Sequence, residues 1–306
     1  MIFCGGIAQG ADTTPKPADS ALTKVENFGP NPGNLSMYEY VPEYVAENKL
    51  ALVVALHGCN GSAKQFSKAG FNELAEKYGF IVLYPEQKTE NNNIRCFNHS
   101  RPNMAGARER ESASILQMIS YMIAEHGISK KHVFIAGFSS GGQFANILAA
   151  TYPETFRAAA IIGAGGYICK PGHAGIREFA ECDDEEDEMD EALLHIPGKP
   201  LRWPKVSIWH GKKDKNVPYS TMELAVEQWK FAHKIRRKRH TKKKLPGDIL
   251  YQAYKTSRGH VMIESYSMNS RAHTVPVSEN CGIPGGDFSL EKICFARKAI
   301  QFFGIH

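Results

Sequence analysis

The sequence predicts an α/β protein with a mostly parallel central sheet and helices on both faces. Three observations carry this. Continuous apolar runs recur along the chain, and such runs suit parallel strands buried on both sides. Segments with helical spacing lie between them. At one junction, Gly137-Phe138-Ser139-Ser140-Gly141, an apolar run feeds a tight glycine-flanked turn and then a helical pattern. Strand and helix in alternation argue for parallel pairing with right-handed crossovers.

Taken in order, residues 1–35 read as a lead-in. Met1–Ala11 is short, apolar and uncharged, and fits the tail of an export signal with Ala8-Gln9-Gly10 as a small-x-small cleavage site. Residues 12–35 are rich in Pro, Thr, Asn and Gly and read as extended chain. A single domain is expected over 36–306. Leu50–Leu56 is the first buried strand and ends at His57-Gly58. Ala69–Tyr78 reads as a helix. Phe80–Tyr84 is the second strand, ending at Pro85, and an Asn-rich loop follows through Phe97. Ser112–His126 is an amphipathic helix, with Ile115, Met118, Ile119 and Met122 on one face. Val133–Ala136 leads into the glycine-flanked serine, and Gln143–Ala150 is the helix behind it. Ala158–Ile162, Val206–Trp209 and Val261–Tyr266 complete the set of expected strands.

Two charged runs interrupt this alternation. Residues 181–191 are nearly all acidic and 234–244 nearly all basic, and each reads as a solvated insertion. The acidic run lacks the spaced glycine of a calcium loop, and no metal or cofactor is implied. Net charge is +5 over 306 residues, with the basic residues clustered locally, so nothing points to nucleic acid. No stretch approaches the roughly 20 apolar residues of a membrane span. The chain shows no internal repeat and no Ser/Thr-rich linker.

There are seven cysteines, and none has Cys-x-x-Cys spacing. Without Cys4 an even set remains, which fits disulfides in an exported protein. Cys59 follows the first strand and Cys96 lies in the loop after the second. Parallel strands end on one edge, so these two are expected to pair. Cys281 with Cys294 and Cys169 with Cys182 are the further expected bridges.

The strand–turn–helix context makes Ser139 a candidate nucleophile, because such a turn lifts the hydroxyl above the sheet. A serine needs a base to take its proton, and the base needs an orienting acid. On this topology the acid follows a later strand, and Asp214 stands just past Val206–Trp209; Asp287 is the rival. The histidine belongs after the last core strand. His273 fits there, whereas His260 precedes that strand and His306 is terminal. The N–H groups of Ser140 and Cys59 are the expected oxyanion donors. Phe97, Phe138 and Trp209 are expected to contact substrate.

These pieces together resemble the polyhydroxybutyrate depolymerase family of secreted esterases, relatives of feruloyl and acetylxylan esterases. The likeness runs from about Met37 to Ile305. It rests on Leu56-His57-Gly58-Cys59, Leu83-Tyr84-Pro85-Glu86-Gln87, Arg95-Cys96-Phe97-Asn98, Gly137-Phe138-Ser139-Ser140-Gly141-Gly142, Trp209-His210-Gly211 leading to Asp214, and His273-Thr274-Val275-Pro276-Val277. The chain departs from the family where Phe97 replaces a frequent Trp, and where Phe138-Ser139-Ser140 replaces Leu-Ser-Ala. The resemblance implies the α/β-hydrolase fold and an ester-cleaving triad of Ser139, Asp214 and His273. It implies a secreted or periplasmic enzyme acting on a small or polymeric ester, with short hydroxyalkanoate esters first. Feruloyl or acetylxylan ester cleavage on plant polysaccharide is the alternative. A serine peptidase and a non-catalytic binding protein on the same scaffold rank behind these.

Overall fold

The computed structural model describes residues 22–46, 49–98, 105–166, 201–235 and 240–306, with 105–108 as backbone only. The export-signal reading, the acidic run and the Cys169–Cys182 pair lie outside the described residues. Among those residues the elements run β1 (Thr23–Val25), β2 (Ser36–Tyr40), β3 (Leu52–Leu56), α1 (Ala63–Phe66), α2 (Phe71–Tyr78), β4 (Ile81–Glu86) and α3 (Ala105–His126). They continue with β5 (Val133–Phe138), α4 (Ser140–Thr151), β6 (Ala158–Ile162), β7 (Lys205–Gly211), α5 (Ser220–Ala232) and β8 (His240–Leu245). The last are β9 (Ile249–Lys255), β10 (Val261–Met268), β11 (Val275–Val277), β12 (Phe288–Leu290) and α6 (Phe295–Phe303).

A ten-stranded sheet has the order β1-β2-β4-β3-β5-β6-β7-β10-β9-β8. Its centre, β4 to β10, is parallel throughout, and the two strands at each margin are antiparallel. This is the α/β-hydrolase architecture expected from the sequence. The two-residue side-chain period of each strand divides the core in two. Leu52, Val54, Ile135, Ile161 and Ile208 pack under α3, α4 and α5. Val53, Ala55, Phe134, Ala160 and Trp209 pack under α1, α2 and α6. Both faces are covered, which is why these strands carry no polar alternation.

Several boundaries differ from the sequence reading. The lead-in joins the fold: β1 pairs with β2, and Phe28 and Leu35 are buried. The second strand continues through Pro85 to Glu86. It pairs with β3 only as far as Leu83, so Pro85 lies where no donor to β3 is needed. Helix α3 begins at Ala105 rather than Ser112. The basic run is not only an insertion, because its second half is the exposed edge strand β8, paired to a strand β9 that the pattern did not reveal. Lysines along an edge strand discourage pairing with another chain, so a lysine-rich run is compatible with strand structure at that one place.

Candidate active site

The glycines around Ser139 are required by close packing. A Cβ on Gly137 would lie 2.2 Å from the Gly141 carbonyl oxygen, and one on Gly141 would lie 2.3 Å from that of His57. The first turn of α4 therefore rests directly on the ends of β5 and β3. Between them Ser139 has φ 54° and ψ −122°, a left-handed φ that a non-glycine residue adopts only when its surroundings hold it. Its N–H donates to the Ile162 carbonyl at 2.9 Å and its carbonyl accepts from Gln143 N–H at 2.8 Å. The residue is half-buried. Ser140 opens α4, and first-turn N–H groups have no partner within their own helix.

Asp214 and His273 arrive from β7 and β10, which pair in parallel. Gly211, at the end of β7, lets the loop after β10 close over it: a Cβ there would sit 2.3 Å from the carbonyl oxygens of Arg271 and Ala272. Lys212 and Lys213 N–H groups donate to Met268 and Arg271 carbonyls at 2.9 and 2.8 Å and stitch the two loops together. His273 Nδ1 then meets Asp214 Oδ2 at 2.6 Å. Asp214 Oδ1 accepts from the N–H groups of Asn216 and Val217 at 2.8 and 2.9 Å. Burial pushes the Asp214 carboxyl up. The bonds donated by His273 and Val217 outweigh burial and hold it below its ordinary value, and either neighbouring histidine, His273 or His210, adds to this pull when it is protonated. The aspartate is therefore ionised, so Nδ1 of His273 carries a proton and Nε2 is the free acceptor. His210 is neutral, its pKa lowered by burial, and its Nδ1–H donates to the Gly211 carbonyl at 3.0 Å.

The imidazole of His273 lies between Phe138, at 4.7 Å between ring centroids, and Gly163, where a Cβ would be 3.0 Å from its Cε1. Gly163 follows Ile162, the residue bonded to Ser139 N–H. Ser139, His273 and Asp214 are thus gathered at one edge of the parallel sheet. The rivals are differently engaged: Asp287 lies near His273 in the chain's packing, its carbonyl accepting from Val275 N–H at 2.8 Å, but its carboxylate is taken by another side chain. Asp287 accepts from Gln65 at 3.0 Å, and His260 is exposed at the start of β10, the far edge from His273. Gly211 stood in the motif read ahead of Asp214, whereas Gly163 was missed by the sequence reading. Its signal, a glycine directly after the apolar run Ala158–Ile162, was present.

The side expected to hold the oxyanion is assembled differently. Gly58 abuts the nucleophile turn, where a Cβ would be 3.2 Å from Ser139 Cβ. His57 is buried, and burial lowers its pKa to about 4. Its neutral ring donates from Nδ1 to the Gly58 carbonyl at 2.7 Å and accepts at Nε2 from Gln87 N–H at 3.0 Å. A disulfide joins Cys59 to Cys96, with Cα atoms 4.2 Å apart, and Cys281 is joined to Cys294. Asn60 N–H donates to Ile94 at 2.6 Å and Arg95 donates to Asn60 at 2.8 Å, so the two loops are tied at three places.

The three aromatics expected to contact substrate lie beneath the site. Trp209 is 0% exposed and stacks on Tyr266 at 3.6 Å, because its strand parity directs it under α6. Phe97 is buried between His57 and Phe144, supporting the oxyanion loop from below. Phe138 gives its face to His273 and its edge to Gly58. Among the described residues no three His, Cys, Asp or Glu side chains cluster as metal ligands would, and no helix is long and apolar enough to cross a membrane.

The chain is similar to known esterases. A family model described as Esterase PHB depolymerase matches residues 35–180. Poly(3-hydroxyalkanoate) depolymerase C of Paucimonas lemoignei is 34% identical over 93% of this chain and 70% of its own length. Feruloyl esterase B of Talaromyces stipitatus is 32% identical over 69% of this chain and 61% of its own. An acetylxylan esterase of Coprinopsis cinerea is 29% identical over 84% of this chain and 70% of its own. Among solved structures, an acetyl xylan esterase from Aspergillus awamori superposes with a TM-score of 0.71 at 23% identity, covering 94% of this chain and all of that one, a likeness of fold.

Proposed function

The chain belongs to the esterase family of PHB depolymerases, and from that premise we propose that it hydrolyses carboxylic esters through an acyl-enzyme on Ser139. The observation that carries the proposal is the 2.6 Å His273–Asp214 bond at the same sheet edge as the strained Ser139 turn. Ser139 Oγ adds to the ester carbonyl carbon while His273 Nε2 takes its proton. Electrons of the carbonyl move onto its oxygen, which the N–H groups of Cys59 and Ser140 stabilise. Collapse breaks the bond to the alcohol oxygen, and that oxygen takes the proton from His273. Water repeats the sequence on the acyl-enzyme and frees the acid. Asp214 keeps the imidazole oriented and stabilises it while charged.

The favoured substrate is a short hydroxyalkanoate ester, supported by the depolymerase likeness over 93% of the chain. Export is supported by two disulfides, since such bonds persist in oxidising compartments. The test is a panel of p-nitrophenyl esters, hydroxybutyrate oligomers, methyl ferulate and acetylated xylan, assayed with wild type and Ser139→Ala. Hydroxybutyrate oligomers are expected to give the highest kcat/KM. Ser139→Ala is expected to lose at least about 10⁴-fold in kcat while staying folded. Undiminished kcat in the folded variant removes Ser139 from the mechanism, and a preference for ferulate or acetyl esters moves the substrate to plant polysaccharide.

A further inference from the structure

We propose that Glu111, on α3, is a positioning residue for the oxyanion site, acting through Gln87 and Asn98 on the Cys59 N–H. This rests on the esterase reading above. Glu111 is a carboxylate only 2% exposed, in a part of the molecule the proposed chemistry does not touch. Gly33 is packed onto its backbone, where a Cβ would be 2.6 Å from Glu111 Cα, and closes that side. Burying a carboxylate is costly, and burial pushes its pKa up against the pull of its hydrogen-bond donors.

Its partners all lead to one place. Glu111 Oε1 accepts from Gln87 Nε2 at 2.7 Å and from Asn98 Nδ2, and Oε2 accepts from Asn98 N–H at 2.9 Å. The first arm runs through Gln87. Its Nε2 also reaches the Cys96 carbonyl at 3.3 Å, and its own N–H holds His57 Nε2. That bond makes Nε2 the acceptor, so Nδ1 carries the proton and donates to the Gly58 carbonyl. A trans peptide sets C=O and N–H on opposite sides of its plane. Fixing the Gly58 carbonyl on His57 therefore aims the Cys59 N–H of the same peptide the other way. The second arm runs through Asn98, two residues past Cys96, whose sulfur is bonded to Cys59.

The carboxylate is specifically required. The Gln87 amide has a fixed orientation, because its Oε1 already accepts from Lys88 N–H at 3.0 Å and from Asn91 Nδ2 at 2.6 Å. Its Nε2 can only donate. The Asn98 backbone N–H can only donate. Residue 111 must accept on both oxygens, which a carboxylate does and a carboxamide does not.

Glu111→Gln keeps the shape and turns one acceptor into a donor. Kinetics on p-nitrophenyl butyrate, inhibition by a small alkyl boronic acid, thermal melting and non-reducing mapping of the Cys59–Cys96 bridge are measured together. The expected result is a loss of about 10²-fold in kcat, the scale of one oxyanion donor, with KM within about threefold. Boronate affinity falls in step with kcat/KM, and the bridge stays intact. Wild-type kcat, or a loss confined to KM, overturns the proposal. If Glu111→Gln does not fold, Gln87→Met decides. It removes the same arm near-isosterically, and a kcat-selective loss of about tenfold is expected, with an unchanged kcat overturning the role. Labelling of wild-type Ser139 by diisopropyl fluorophosphate separates the two levels. No label means the serine reading fails, whereas label with an active Glu111→Gln means only the positioning role fails.

Discussion

The two halves of the site are held by opposite means. The acid–histidine corner is polar and non-covalent, with Asp214 fixed by two backbone N–H groups and by His273, and the two loops stitched by main-chain bonds. The proposed oxyanion corner is braced by a disulfide, a buried neutral histidine and stacked aromatics. A base must change charge during turnover, and an ionised aspartate beside it stabilises that change. A donor to an oxyanion does its work by staying still, and a covalent tie with a dry support achieves that. On the proposed mechanism, the same sheet edge presents one corner for proton movement and one for rigidity.

The sharpest way to break this contrast is to remove the moving part. His273→Ala should cost nearly as much as Ser139→Ala, at least about 10⁴-fold in kcat, and the double variant should be little worse, because the two act as a unit. Additive losses in steady-state assays would mean that they do not. Asp214→Asn should stay folded and lose up to about 10⁴-fold, since the histidine loses its tautomer and its counter-charge. Near-normal activity there would hand the role to another acid.

The rigid corner should respond in stability as well as in rate. Cys96→Ser opens a bridge of sequence separation 37, for which chain entropy gives an upper figure of roughly 4 kcal/mol. Urea unfolding should show most of that loss, with kcat falling about tenfold through a looser Cys59. A change in stability with no change in kcat would detach the bridge from catalysis.

The smallest effect separates the corners by pH. His57 is buried neutral, with its pKa lowered from 6.5 to about 4. Between those values the unfolded chain binds the proton and the folded one does not. Its contribution is therefore complete above about pH 6.5 and is lost as pH falls toward 4, about 3 kcal/mol in all. Asp214 is also lowered, from 3.8, so its contribution persists until pH falls below the ordinary carboxylate range. Acid should thus weaken the oxyanion corner first. Urea midpoints for wild type and His57→Gln between pH 7 and 5 check this, with a shallower slope expected in the variant; equal slopes would remove His57 as the source.

Much of this was legible in order along the chain. The parallel core was readable because strands buried on both faces carry uninterrupted apolar runs, as Leu52–Leu56 and Ala158–Ile162 do. The tight turn at Ser139 was readable because close packing of strand on helix forces glycine at 137 and 141. The Cys59–Cys96 pairing followed from parallel strands ending on one edge. The marginal strands were not readable. β8 is exposed along most of its length and β1 lies in the lead-in, so neither carries a burial pattern.

What the sequence by itself determined is the order of elements and the residue types at the strand ends, because burial and backbone geometry act locally and leave a mark at each position. What only the tertiary structure decided is which neighbours those residues acquire. Trp209, Phe97 and Phe138 are aromatic at site-flanking positions, yet strand parity and packing turn all three inward. That Gly163 and Gly211 leave room for His273 and its loop is visible only when that loop has closed over them. Glu111 stands 52 positions beyond Cys59 in the numbering, with no periodic signal to link them. Their connection through Gln87 and His57 exists only after α3, β4 and β3 have packed, since hydrogen bonds between distant segments are set by where the folded backbone brings the donors.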